Sequence, residues 1–150
     1  MGAAPTIYVD GDACPVKEEV YRVARRCACP VHVVANAFMR TPADVTLTVV
    51  DAGPDAADDW IAARVQPGDI VITNDIPLAD RTLKAGGVAL AANGKAFTPS
   101  SIGAAMAQRE LMEHLRSFGE GGGGPKPFSA RDRSQFLTAL DAAVQKAKRR

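Results

Sequence analysis

Residues 7–14 read IYVDGDAC. Ile7, Tyr8 and Val9 suit a buried strand, yet the run ends in two aspartates separated by one glycine, residue types that strands avoid. Pro15 follows at a position that suits the first turn of a helix, and Val16–Arg26 continues with Val20, Val23 and Ala24 at helical spacing. A strand that hands over to a helix through a polar turn is the opening half of a βαβ unit. In open α/β sheets, ligands bind beyond the carboxyl ends of the strands. Asp10 and Asp12 are therefore expected at a ligand-binding edge, with Gly11 letting the chain turn between them.

The same pattern recurs downstream. Val31–Ala35 and Val45–Val50 read as strands, followed by a helix from the aspartates at 55–59 to about Val65. Ile70–Thr73 is uniformly apolar and β-branched up to its last residue, as expected of a strand buried on both faces. A helix then runs to Lys84, and Val88–Ala91 is a weaker fifth strand. The order β-α-β-β-α-β-α-β predicts a three-layer α/β/α fold around a mainly parallel sheet with right-handed crossovers. Thr98-Pro99-Ser100-Ser101 opens a further helix. The glycines at 119 and 121–124 mark a flexible linker over 119–128. Ser129 to Asp132 resembles a capping box, and a last helix over 130–148 carries Phe136, Leu137, Leu140 and Val144 on one face. That divides the chain into an α/β domain (1–118), the linker, and a basic C-terminal helix (129–150) that must dock on the domain to bury its stripe.

The 150 residues suit one domain with a core of small aliphatic side chains, since aromatics make up only 5%. The net charge of +1 conceals an acidic front and a basic tail: residues 1–100 carry 12 Asp+Glu and 9 Lys+Arg, residues 101–150 carry 5 and 9. Three cysteines, 14, 27 and 29, and no secretory pattern over residues 1–9 place the protein in a reducing compartment, the cytoplasm. No apolar run approaches the roughly 20 residues that a membrane span needs. Cys27, Cys29 and His32 do not have zinc-site spacing and lack a fourth ligand. There is neither a Walker loop nor a GxGxxG fingerprint. Cys14 has no histidine near it in sequence and reads as a packed residue.

The polar residues at the strand ends are Asp10 and Asp12, Asn36, Asp51, the aspartates at 55, 58 and 59, and Thr73, Asn74 and Asp75. Carboxylates converging on one cleft raise one another's pKa unless a cation neutralises them. Oxygen-only ligands suit Mg²⁺ or Mn²⁺, which can activate a water and steady the charge on a phosphoryl group. Structural readings compete at several positions. Asp51 and Asp69 suit turns, Asp59 and Asp80 suit solvated helix faces, and Asp55 or Asp58 could simply match a helix N-terminus.

The segments IYVDGDACPVKEEVYRVA, VVAN, AGPDAADDWI, DIVITNDIPLAD, TPSSI, GGP and RDRSQF resemble the bacterial YaiI/YqxD family of uncharacterised proteins over nearly the whole chain. That family in turn resembles PIN-like domains, metal-dependent nucleases with acids at their strand ends. The resemblance implies a metal site built from Asp10, Asp12, Asp55, Asp58 and Asp75, with Asp10, Asp12, Asp58 and Asp75 catalytic and Mg²⁺ or Mn²⁺ as cofactor. It leaves Asp59 and Asp80 outside the pattern, and alanine is also usual at Gly11. The expected activity is phosphodiester cleavage, with RNA as substrate. Lys17, Asn36, Arg40, Thr73, Arg131 and Arg133 are the candidate substrate contacts. Two alternatives stand beside it. One is an RNA-binding or regulatory module with a relict acid cluster. The other is a haloacid-dehalogenase-like phosphatase, suggested by the DxD after the first strand; it conflicts with the chain order, because Asp58 and Asp59 precede Asp75 and Lys84.

Overall fold

The structure, a computed structural model, describes residues 4–12, 14–51, 53, 55–117 and 128–149. Five strands form one sheet: β1 (Ile7–Asp10), β2 (Val31–Ala35), β3 (Val45–Val49), β4 (Ile70–Ile72) and β5 (Val88–Leu90). Every pairing is parallel and the order is β3-β2-β1-β4-β5. Five helices accompany it: α1 (Lys17–Cys27), α2 (Ala56–Ala62), α3 (Ile76–Lys84), α4 (Pro99–Ser117) and α5 (Ala130–Lys148). This is the expected three-layer α/β/α fold. Residues 119–127 of the expected linker lie outside the described residues.

Alternation along the strands sorts the two faces. Ile7, Val9, Val33, Ile70 and Ile72 point to the side covered by α1 and α5, and all five are essentially inaccessible to solvent. Phe136, Leu140 and Val144 of α5 are fully buried in that same cluster, so the C-terminal helix completes the main core. Burying Phe136 alone contributes about 2–3 kcal/mol. On the opposite face Tyr8, Val34 and Val71 pack against Ala57, Ile61 and Leu78 of α2 and α3, and Ala89 against α4 through Ile102. Helix α2 is short, and Trp60 closes the layer over β2: its ring centroid lies 4.5 Å from that of His32, whose Nε2 is 2.6 Å from Thr48 Oγ1.

The ends of α5 and α1 explain how the layers lock. Ser129 and Asp132 form a reciprocal capping box at the start of α5. The 91–96 turn approaches α5 so closely that a Cβ on Gly94, which has φ 89°, would lie 2.7 Å from the Gln135 carbonyl oxygen. Helix α1 ends on Ala28 in the left-handed region, at φ 57°.

Gly11 corrects one expectation. Its backbone is not left-handed, and the glycine serves close approach instead. Its N–H donates to the Val34 carbonyl at 2.7 Å, and an added Cβ would sit 2.8 Å from Val33 Cγ1. An alanine here requires the Val33 side chain to give way.

Candidate metal centre

Chain order reverses between β1 and β4: β2 and β3 lie to one side of β1, β4 and β5 to the other. That switch point opens a crevice at the carboxyl ends of the two strands, the place where open α/β sheets bind ligands. Asp10 ends β1, and Thr73, Asn74 and Asp75 follow β4. A cleft of about 230 Å³ opens there, lined by Asp10, Asp12, Thr73, Asn74 and Asp75 together with Cys14 and Pro15.

Hydrogen bonds fix three of the acids. The buried Thr73 hydroxyl donates to Asp10 Oδ2 at 2.9 Å and accepts the Asp75 backbone N–H at 2.9 Å. Asp75 caps α3, its Oδ2 accepting the Leu78 N–H at 3.0 Å, with Pro77 in the first turn. Asp12 leaves the strand and takes the Asn36 backbone N–H at 3.2 Å to one oxygen and 3.3 Å to the other. Asn74 ties the β4 end to the segment after β5 by accepting the Ala92 N–H. Asp55 stands at the N-cap of α2 without a side-chain capping bond, and Asp58 lies in the first turn of that helix.

The electrostatics join three segments of chain. Burial raises Asp10 above its ordinary carboxylate value; the Thr73 hydroxyl pulls it down, and Asp75 and Asp12 push it up again. Asp58 is raised to about 7, by burial first, then by its hydrogen bond to Asp75, then by the charges of Asp75, Asp10 and Asp55. Cys14 is raised by burial and stays a neutral thiol near pH 7.

The other candidates divide. Lys17 donates from Nζ to the Cys14 carbonyl at 3.1 Å, and together with Arg40 it lines a neighbouring pocket of about 380 Å³. Asn36 touches the site through its backbone, and the Thr73 hydroxyl is engaged within the protein, so Thr73 positions acids. Arg131 is exposed on the first turn of α5. Arg133 docks α5 on α1: it donates to the Pro15 carbonyl at 2.7 Å, pairs with Glu19 at 3.3 Å and lies 4.9 Å over the Phe128 ring. Asp59 pairs with Arg81 at 2.7 Å and Asp80 with Lys84 at 2.9 Å, both at the surface. Asp69 is buried and receives the backbone N–H groups of Thr6 and Gln66. Nothing in its sequence neighbourhood signals the long-range bond from Thr6.

As the side chains stand, no group of three or more His, Cys, Asp or Glu among the described residues is drawn together tightly enough to hold a metal ion. The donor chemistry nevertheless fits a hard cation. The cleft offers carboxylate oxygens and a neutral thiol with no imidazole, and Mg²⁺ binds through one or two carboxylates while keeping its waters. The raised carboxyl groups of Asp10 and Asp58 are what an added positive charge would relieve.

Among the described residues, no helix is long and apolar enough to cross a membrane. The family model described as "Uncharacterized BCR, YaiI/YqxD family" matches residues 8–146. A "UPF0178 protein" of Caulobacter sp. (strain K31) is 59% identical over 95% of this chain and 96% of its own length. One from Rhodopseudomonas palustris (strain BisB5) is 59% identical, covering 98% of this chain and 92% of the relative. One from Azorhizobium caulinodans (strain ORS 571) is 57% identical, covering 99% and 97%. No solved structure matches. With a family model spanning the sheet, the acid cleft and the docking helix, the chain belongs to the YaiI/YqxD family.

Proposed function

We propose that the protein is a divalent-metal-dependent nuclease of PIN-like type that hydrolyses phosphodiester bonds in RNA. The observation that carries this reading is that Asp10, Asp12 and Asp75 line the cleft at the β1–β4 switch point, with Asp58, raised to about 7, near enough to feel the charges of Asp75 and Asp10. Asp10, Asp12 and Asp75, directly or through water, would hold Mg²⁺ or Mn²⁺, with Asp55 and Asp58 on the α2 side. Such a cation supplies positive charge against the phosphoryl oxygens and the means to ionise water near neutral pH. Asp58 sits between ionised and neutral forms at the operating pH, which suits a carboxylate that accepts a proton from an attacking water. Thr73 holds Asp10 and the α3 cap in register. Lys17 and Arg40 favour a polyanion beside the cleft.

The phosphatase alternative gains nothing from the structure. The lining of the cleft includes no lysine.

Incubating the purified protein with single-stranded RNA and Mn²⁺ tests the reading. Cleavage is expected, with Asp10→Asn lowering the rate by at least about 100-fold, as loss of a principal electrostatic group does. Tight RNA binding without turnover, unchanged in the Asp→Asn variants, would instead identify a binding module.

A further inference from the structure

The 36–44 loop joins the acid cleft to a second surface. Its first residue, Asn36, donates its backbone N–H to Asp12. Two residues on, Phe38 is 82% exposed, the highest value among the large apolar side chains described. Met39 turns the other way and packs against the main core, which anchors the loop and leaves Phe38 projecting into solvent. The loop then delivers Arg40, Thr41 and Pro42 to a pocket of about 380 Å³ whose other wall is Lys17, Glu18 and Tyr21 of α1. Among the described residues, neither Lys17 nor Arg40 forms a salt bridge. The bond from Lys17 Nζ to the Cys14 carbonyl holds that pocket against the acid cleft, because Cys14 lines the cleft.

An exposed aromatic ring on a loop that also carries a cation, with a second cation across the pocket that loop enters, offers the two features by which proteins take a single strand, the ring stacking a base and the cations tracking the backbone. An aromatic in open solvent has no packing value to the fold, and aromatics are scarce in this chain at 5%. We infer that Phe38 stacks a base of single-stranded nucleic acid while Lys17 and Arg40 hold an adjacent phosphate, so that this subsite feeds an unpaired strand to the acid cleft. Glu18 on the same wall reduces the net charge of the pocket. The inference rests on the nuclease reading for the cleft but is tested by binding. A duplex, whose bases are stacked inside, cannot use Phe38, so the subsite selects for unpaired strands.

The test is fluorescence anisotropy of the full-length Asp10→Asn chain with labelled decauridylate and with a ten-base-pair RNA duplex. The single strand should bind more tightly. Phe38→Ala should weaken single-strand binding by roughly 5- to 100-fold and leave the duplex unchanged, and Phe38→Trp should restore it. Lys17→Ala with Arg40→Ala should flatten the salt dependence, by about 0.7 in logarithmic slope for one phosphate. Single-strand binding that is indifferent to Phe38→Ala overturns the inference even if the native chain cleaves RNA. Phe38-dependent binding by a chain that never cleaves supports it and removes the nuclease reading alone.

Discussion

The Thr73 hydroxyl bridges two strands and a helix: it donates to Asp10 across the β1–β4 seam and accepts the N–H of Asp75, each at 2.9 Å. Thr73 thus fixes the two acids nearest the switch point relative to each other. Its bond to Asp10 is also the one influence that lowers that residue's pKa against burial and two like charges. Thr73→Val should therefore move the Asp10 titration to higher pH, read by carboxyl NMR, and cost about 1–3 kcal/mol of stability through the orphaned partners. Thr73→Ser should restore both. An unmoved Asp10 titration in the valine variant would refute the bridge.

Asp58 sets a pH signature. In the folded protein it titrates at about 7 against 3.8 ordinarily. Between those values the native chain keeps a proton that the unfolded chain has lost, so stability falls as pH rises from about 4 through 7 and the cost is complete above. Asp58 is partly solvated, which limits the effect to about 1–2 kcal/mol. Without divalent cations, Asp58→Asn should be more stable than native by that amount at pH 8 in urea unfolding, with the gap closing by pH 4. A gap independent of pH would contradict the assignment.

Ala28 carries avoidable strain. A left-handed alanine at the end of α1 costs about 1 kcal/mol that glycine does not incur. Ala28→Gly should raise stability by about 0.5–1 kcal/mol, less whatever the freer unfolded chain takes back. Destabilisation would show that the exposed methyl makes contacts that matter more than the backbone.

Helix α5 belongs to the main core. Gly94→Ala should cost at least about 2 kcal/mol, from the left-handed backbone and the clash with the Gln135 carbonyl. Phe136→Ala should cost about 3–5 kcal/mol. Arg133→Ala should weaken the same docking, by about 1 kcal/mol through a partly exposed pair. If α5 were peripheral, calorimetry of the Phe136 variant would show an unchanged main transition.

Much of the fold could be read locally, because each element carries its own pattern. IVIT declares a buried strand, IYVDGDACP a strand-to-helix turn, and Ser129 with Asp132 a helix start. The strand order could not be read so, since the sequence contains nothing that places β4 rather than β2 or β3 on a given side of β1. The candidate site inherits that division. Asp10 and Asp12 stand out by their spacing, but the influence of Asp75 on Asp58 depends on packing that brings together residues 17 apart in sequence. Arg133 reads in sequence as a substrate contact and turns out to join α5 to Glu19, 114 residues away. Gly11 reads in sequence as a turn residue, because its close approach to Val33 leaves no mark in its own neighbours.

The central claim is that the β1–β4 acid cluster takes a divalent cation. Titrating Mn²⁺ into the native chain at pH 7.5 by calorimetry tests it most directly. The account predicts binding that Asp10→Asn weakens by at least about tenfold, the loss of one charge-assisted ligand. Absence of Mn²⁺ binding, or equal binding by native and Asp10→Asn chains, would contradict it.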